Sequence, residues 1–197
     1  MGKIFYIMGK SASGKDSIYK ELIGDPSLGL RGVVMYSTRP MRAGETDGKD
    51  YFFISPERLA ELDAEGRIIE KRTYDTVFGP WTYATVDDGQ IDLSLGDYLM
   101  VGVLESYLRM RDYYGADALV PLYVEVEDGE RLMRAIRREM NGVPKYAEMC
   151  RRFLTDSEDF SDEKLAAAGI VRRYDNLELK ACISEIRETI FRCRAEG

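Results

Sequence analysis

The seven residues Gly9-Lys10-Ser11-Ala12-Ser13-Gly14-Lys15 constrain this chain more than any other stretch. They follow Lys3-Ile4-Phe5-Tyr6-Ile7-Met8, an apolar run of β formers that reads as a buried strand. They precede a stretch in which Ile18 and Leu22 lie four apart, which predicts a helix over 15–22 ended by Gly24, Asp25 and Pro26. A GxxxxGK spacing between a strand and a helix turns successive backbone N–H groups, and the helix N-terminus itself, toward an anion. Gly9, Ser11, Ala12, Ser13 and Gly14 form that cradle, and Lys15 brings a point charge to the β- and γ-phosphates of a nucleotide. The residue after the lysine is Asp16 where Ser or Thr is usual, with Ser17 next. Asp16 is a hard oxygen ligand and is the candidate to hold Mg2+.

Strand and helix signals alternate along the rest of the chain, which favours a mostly parallel α/β sheet. Strands are expected at Val33-Val34-Met35-Tyr36, at Tyr51-Phe52-Phe53-Ile54, over 68–74, over 97–103, over 118–126 and, weakly, over 170–173. Ser55 followed by Pro56 predicts a capped helix start. Helices are expected over 104–114, 128–140, 145–158, 161–168 and 177–193, the second and third split by Asn141-Gly142-Val143-Pro144. Residues 37–90 read as a small α+β insertion.

Composition removes several classes of chemistry. The 197 residues include no histidine, so a Ser-His-Asp or Cys-His nucleophile system within the chain is excluded. The net charge of −7 argues against a nucleic-acid coat. Cys150, Cys182 and Cys193 lack CxxC spacing and read as reduced thiols. No apolar run approaches about 18 residues and no signal-peptide profile opens the chain, so a cytoplasmic protein without a membrane partner is expected.

Ser37-Thr38-Arg39-Pro40-Met41-Arg42 follows the second predicted strand. Arg39 and Arg42, three apart, are candidates to converge on one phosphate with the Ser37 hydroxyl, because a guanidinium fork makes bidentate contacts that lysine does not. Glu45 and Asp50 are placed to orient the guanidiniums, and Tyr51 offers a hydroxyl.

This segment continues as Ala43-Gly44-Glu45, then Gly48, Asp50, Tyr51 and Phe53, and it resembles the STRxxRxGExxGxDYxF segment of the guanylate kinase family. The resemblance implies an α/β P-loop nucleoside monophosphate kinase fold: a mostly parallel sheet flanked by helices, with a small α+β monophosphate-binding insertion and a helical lid. It implies a single kinase-like domain over 1–197, with the core in 1–36, 91–126 and 159–197, the monophosphate-binding subdomain in 37–90 and the lid in 127–158. Ser37, Arg39, Arg42 and Tyr51 would then bind the phosphate of the acceptor nucleotide. Glu70 would accept hydrogen bonds from the N1–H and 2-amino group of guanine, two adjacent donors that suit a carboxylate.

Besides Asp16 in the phosphate loop, the sequence departs from the family at two further places. Gly79-Pro80-Trp81-Thr82-Tyr83 stands where the family has GNYYG, so Trp81 or Tyr83 is expected to supply the displaced tyrosine's contact, with Thr85 near the base. Leu99-Met100-Val101-Gly102-Val103-Leu104-Glu105 stands where the family carries a DxDxQG-like run, leaving Glu105 and Asp16 as partial replacements for its acids. Arg134, Arg138 and Arg151, with Arg137 and Arg152 behind them, resemble the arginines of a mobile lid that closes over the transferring phosphoryl. Tyr174, beside Asp175 and Asn176, is a candidate to stack on adenine. The activity this implies is transfer of the γ-phosphoryl of ATP, with Mg2+, to GMP or dGMP. A kinase for another nucleoside monophosphate, or a catalytically weak nucleotide-binding module of the same fold, stays open as an alternative.

Overall fold

A computed structural model describes residues 1–76, 79–141 and 144–196. Gly142 and Val143, in the break expected between two helices, lie outside the described residues. The elements run β1 (Ile4–Met8), α1 (Lys15–Ile23), β2 (Arg31–Gly32), β3 (Tyr36–Ser37), β4 (Phe52–Phe53), α2 (Pro56–Ala64), β5 (Ile68–Thr76), β6 (Gly79–Val86), β7 (Tyr98–Gly102) and α3 (Leu104–Tyr114). They continue as β8 (Leu119–Glu125), α4 (Asp128–Met140), α5 (Tyr146–Asp159), α6 (Asp162–Ala167), β9 (Arg173–Asp175) and α7 (Leu179–Ala195).

Five strands form a parallel sheet in the order β2-β7-β1-β8-β9. β1 is central, and its uninterrupted apolar sequence follows from burial on both faces. Ile4, Tyr6 and Met8 enter a core with Leu104, Tyr107 and Met110 of α3 and Leu165 of α6. Phe5 and Ile7 face the other way, against Ile18 and Leu22 of α1 and Cys182, Ile186 and Ile190 of α7. The period-two alternation of a strand thus feeds two helical layers from one apolar run. Among the described residues no helix is long and apolar enough to cross a membrane.

A second sheet has the order β4-β3-β6-β5, with β3 and β4 parallel and the other pairs antiparallel. Ser55 caps α2 as its sequence predicts, its hydroxyl accepting the Arg58 N–H at 3.2 Å with Pro56 in the first turn. The strand expected over 33–36 is instead two short ones. The chain leaves the large sheet after Gly32 and joins the small one at Tyr36. In the gap, the Val34 N–H donates to the Gln90 side-chain carbonyl at 2.9 Å and the Val34 carbonyl accepts from the Gln90 amide at 3.0 Å. One side-chain amide does there what a neighbouring strand would do.

β6 is a strand for which the sequence gives no expectation, since Gly79-Pro80-Trp81-Thr82-Tyr83 stands out only as the counterpart of GNYYG. Proline is accommodated because it sits at the start of the strand. The weak strand signal over 170–173 moves to Arg173–Asp175, since Ile170 is drawn into the core beneath α6 while the following residues pair with β8.

Candidate active site

α1 begins at Lys15 with Gly14 as its N-cap and no side chain capping it. Its first N–H groups are therefore directed into the loop that precedes it. A Cβ on Gly9 would overlap the Val124 carbonyl oxygen, and one on Gly14, at φ +88°, would overlap the Asn176 side-chain amide. That amide donates to the Ser13 carbonyl at 2.7 Å and fixes the loop from below. The Ser13 hydroxyl and the Asn176 side-chain oxygen are buried without a hydrogen-bond partner among the described residues. Burial lowers the Lys15 pKa from its ordinary value, opposed by Asp16 and Asp156 and reinforced by Arg152 and Arg138. The expected cradle residues are thus brought together in one loop.

Ala12 is the sole non-glycine residue with positive φ among the described residues, at 63°. A left-handed L-residue costs roughly 1–2 kcal/mol, and a glycine costs about 0.5–1 kcal/mol in the unfolded chain. Ala12→Gly is accordingly expected to raise stability by about 0.5 kcal/mol, read as a higher urea midpoint at unchanged slope. A lowered midpoint would mean that the alanine methyl packs favourably.

The two helices α4 and α5 are clasped onto this loop. The Ser11 N–H donates to the Asp156 carboxylate at 2.6 Å. Arg131, whose side chain is 1% exposed, donates to the Ser11 carbonyl at 3.1 Å and to Asp128 at 2.9 Å, and pairs with Asp156 at 3.5 Å. Its guanidinium lies 4.2 Å from the centre of the Phe153 ring. Arg152 donates to the Ser11 hydroxyl at 3.1 Å. One acidic oxygen therefore already occupies an N–H of the anion cradle.

The other lid arginines lie elsewhere in this state. Arg134 pairs with Glu130 at 2.9 Å and donates to the Asn176 and Leu177 carbonyls at 3.0 and 3.3 Å. Arg151 is exposed and held by both oxygens of Glu148 at 2.6 and 2.8 Å, within electrostatic reach of Tyr74. Arg138 is exposed but near enough to act on Lys15, and Arg137 is exposed. Nothing in the spacing of the arginines separates Arg131 and Arg152 from their neighbours; their hydrogen bonds to Ser11 do.

Across the cleft, Arg39 is 4% exposed and donates to the two oxygens of Glu45 at 2.7 and 2.6 Å. It lies about 5 Å from the centres of the Tyr51 and Phe53 rings, at 5.0 and 5.1 Å. The hydrogen bonds from Arg39, and then from the Arg42 N–H, hold the Glu45 carboxyl down to about 2. Glu45 orients Arg39 as its sequence position suggests. Asp50 does not: it accepts the Thr46 N–H at 2.8 Å and shapes the loop. Arg42 is exposed and makes no ion pair among the described residues, whereas Arg39 is committed to Glu45. The buried Ser37 hydroxyl accepts the Arg39 N–H at 3.3 Å.

The register of the β5–β6 hairpin builds the rest of this face. Glu70 is opposite Thr85, Arg72 opposite Tyr83, and Tyr74 opposite Trp81. Opposed residues share a face, and residues two apart along a strand do too. Tyr83 packs edge-on against both Tyr51 and Tyr74. One face therefore runs from Arg39 and Tyr51, through Tyr83 and Arg72, to Glu70. The Glu70 carboxylate is buried and accepts from Thr85 at 2.8 Å, Ser106 at 2.9 Å and the Arg72 Nε at 3.2 Å. Ser106, in the first turn of α3, was not singled out by the sequence. Its neighbour Glu105 is exposed and takes no part in the Glu70 network. Tyr174 is likewise unavailable for stacking, being 1% exposed with its hydroxyl bonded to Thr189 at 3.0 Å.

Burial raises the Tyr51 pKa, and Asp16 adds to that rise, so the Asp16 carboxylate lies within electrostatic range of the Tyr51 hydroxyl. Among the described residues no three His, Cys, Asp or Glu side chains gather into a metal cluster. Asp16 is an exposed carboxylate in the first turn of α1. That donor set fits Mg2+ bound partly by substrate phosphates and water, the mode this ion prefers. A cavity of about 580 Å³ lined by Lys10, Tyr123, Asp128 and Arg173 lies beside the lid and includes none of Lys15, Arg39 or Glu70.

Residues 1–87 match the family model described as guanylate kinase. A guanylate kinase of Mycoplasma mycoides is 44% identical over 69 residues, covering 35% of this chain and 23% of that protein. One of Aliivibrio fischeri is 35% identical over 102 residues, covering 48% of this chain and 47% of its own length. The chain thus spans less than half the length of these two curated relatives. A guanylate kinase of Streptococcus pyogenes is 29% identical over 181 residues, covering 87% of this chain and 84% of that one. The crystal structure of guanylate kinase from Anaplasma phagocytophilum superposes with a TM-score of 0.63 at 20% identity, over 99% of this chain and 86% of the other. The fold is therefore the α/β P-loop nucleoside monophosphate kinase fold, with a parallel core sheet, flanking helices and a lid region.

Proposed function

We propose that the chain acts as a guanylate kinase, the family whose model matches residues 1–87 and whose members it resembles in sequence and fold, and that it transfers the γ-phosphoryl of ATP to GMP or dGMP, giving ADP and GDP. The observation that carries this reading is the buried Glu70 carboxylate on the hairpin face that Tyr83 joins to Tyr51 and, beneath it, Arg39. A phosphate held at the arginine end leaves its base at the carboxylate end. Guanine offers N1–H and a 2-amino group side by side to such an acceptor, and adenine does not.

Lys15 and the loop N–H groups hold the donor phosphates. Arg39, Arg42, Ser37 and Tyr51 hold the acceptor phosphate. Trp81 and Tyr83 wall the acceptor site. The acceptor oxygen is already ionised at neutral pH and attacks the γ-phosphorus in line, so no protein base is required and the lack of histidine is no obstacle. Catalysis is then positioning and charge compensation. Asp16 is the residue that would hold Mg2+, which when bound with ATP would supply charge compensation to the phosphates. Nucleotide entry requires the Asp156 carboxylate to leave the Ser11 N–H. Lid movement then carries Arg138, Arg151 and Arg152 toward the phosphates, while Arg134 stays at the 176–177 loop.

The test is turnover of a panel of nucleoside monophosphates with ATP and Mg2+. GMP is expected to be preferred. Glu70→Gln is expected to lower kcat/KM for GMP by about 10- to 100-fold, the worth of a hydrogen bond to a charged group. The same change is expected to bring GMP and IMP together, since IMP lacks the 2-amino group. A Glu70→Gln protein that keeps its full preference for GMP over IMP would remove Glu70 from the base site.

A further inference from the structure

We propose that Arg72 is a specificity-determining residue of the acceptor site, its guanidinium reading the O6 and N7 acceptors of a 6-oxopurine while Glu70 takes the N1–H and 2-amino donors. The inference rests on the guanylate kinase reading and adds to it a second reader of the base.

Arg72 lies two residues from Glu70 on β5, on the same hairpin face, opposite Tyr83. Glu70 has about four lone-pair sites, and Thr85, Ser106 and Arg72 already donate to it. Guanine brings two donors, so one resident donor has to yield. Thr85 and Ser106 are buried hydroxyls fixed on β6 and α3, with bonds of 2.8 and 2.9 Å. Arg72 has the longest contact, 3.2 Å through Nε alone, and its side chain is 12% exposed against 2% for Glu70. Neither Nη nitrogen makes a hydrogen bond among the described residues. Arg72 is therefore the donor that can turn away.

A guanidinium that turns off Glu70 does not go far, because its counter-charge is a buried carboxylate. O6 is adjacent to N1 on the guanine ring, and O6 with N7 forms the acceptor pair that an arginine fork matches bidentately. The neutral base then bridges the ion pair. An adenine ring at the same place sets its 6-amino donors against the guanidinium and leaves Glu70 without N1–H. Rejection of adenine is thus two-sided.

The experiment compares kcat/KM for GMP, IMP and AMP in the full chain and in Arg72→Met and Arg72→Lys, with melting temperatures as a fold control. IMP keeps O6 and N7 and lacks the 2-amino group. Arg72→Met is expected to lower GMP and IMP equally, by about 10- to 100-fold. AMP is expected to change little, and the GMP-to-IMP ratio to survive, unlike in Glu70→Gln. Arg72→Lys restores the charge but not the fork, and is expected to recover only part of the loss. Full recovery in Arg72→Lys, or an equal loss for AMP, would make Arg72 a plain counter-ion and overturn the proposal. Unchanged GMP turnover in Arg72→Met would overturn it while leaving the kinase reading intact. If the wild-type chain binds GMP without turnover, equal GMP affinities in wild type and Arg72→Met overturn the assignment; no GMP binding by wild type overturns the kinase reading along with it.

Discussion

Lys15→Met is expected to lower kcat for phosphoryl transfer by about 10²–10³-fold, the usual cost of removing one preorganised charge from a transition state. It is expected to leave stability unchanged or slightly higher. Burial lowers the Lys15 pKa, so the folded state holds the ammonium less comfortably than water does. The sign follows by linkage. The folded pKa lies below the unfolded one, so the penalty is fully present below the folded pKa and disappears above the unfolded pKa. Any gain in the methionine variant should therefore be seen near neutral pH and should shrink as pH rises past the ordinary lysine range. Steady-state kinetics and urea melts at two pH values check both halves. Wild-type activity in the variant would remove Lys15 from the chemistry, and a large loss of stability would make its role structural.

Arg131→Met is expected to cost about 3 kcal/mol of stability, the low end of what breaking a buried ion pair costs. The low end applies because Asp128 is half exposed and can rehydrate, while Asp156, 17% exposed, cannot do so fully. Arg131 also ties α4 to the phosphate loop through the Ser11 carbonyl and stacks near Phe153 of α5. Its removal should loosen the whole clasp, so hydrogen exchange is expected to speed up at Ser11 as well as along α5. Adding Asp156→Asn should recover part of the loss, because the second change removes the carboxylate left without its cation. A loss below about 1 kcal/mol, the range of exposed pairs, would contradict the buried clasp.

Much of the scaffold was legible along the chain. Helices over 104–114 and 128–140 have the expected bounds, since apolar spacing, a strand before and a breaker after all agree. The phosphate loop was legible because its glycines answer purely local demands: left-handed backbone at Gly14, and close approach of Val124 to Gly9. Arg39 with Glu45 was also readable, being six residues apart in one loop. The β6 strand was not, because its partner is chosen by hairpin register and Gly79-Pro80 speaks locally for a turn. Ser106 was not, because a serine in the first turn of a helix carries no signal until β5 packs against it. The choice of Arg131 and Arg152 among many arginines was equally hidden.

Residue order alone determined that a β-strand enters a glycine-rich turn at the start of a helix, that the large sheet is parallel and layered by helices, and that two arginines three apart follow in a polar loop. These follow from short-range periodicity and backbone stereochemistry, which act over a few neighbouring residues. The tertiary structure alone decided that Asp156 sits on the Ser11 N–H, 145 residues away, and that Ser106 meets Glu70, 36 away. Such contacts depend on how layers settle against one another, and a hydroxyl or carboxylate in a sequence carries no mark of which distant partner burial will force on it.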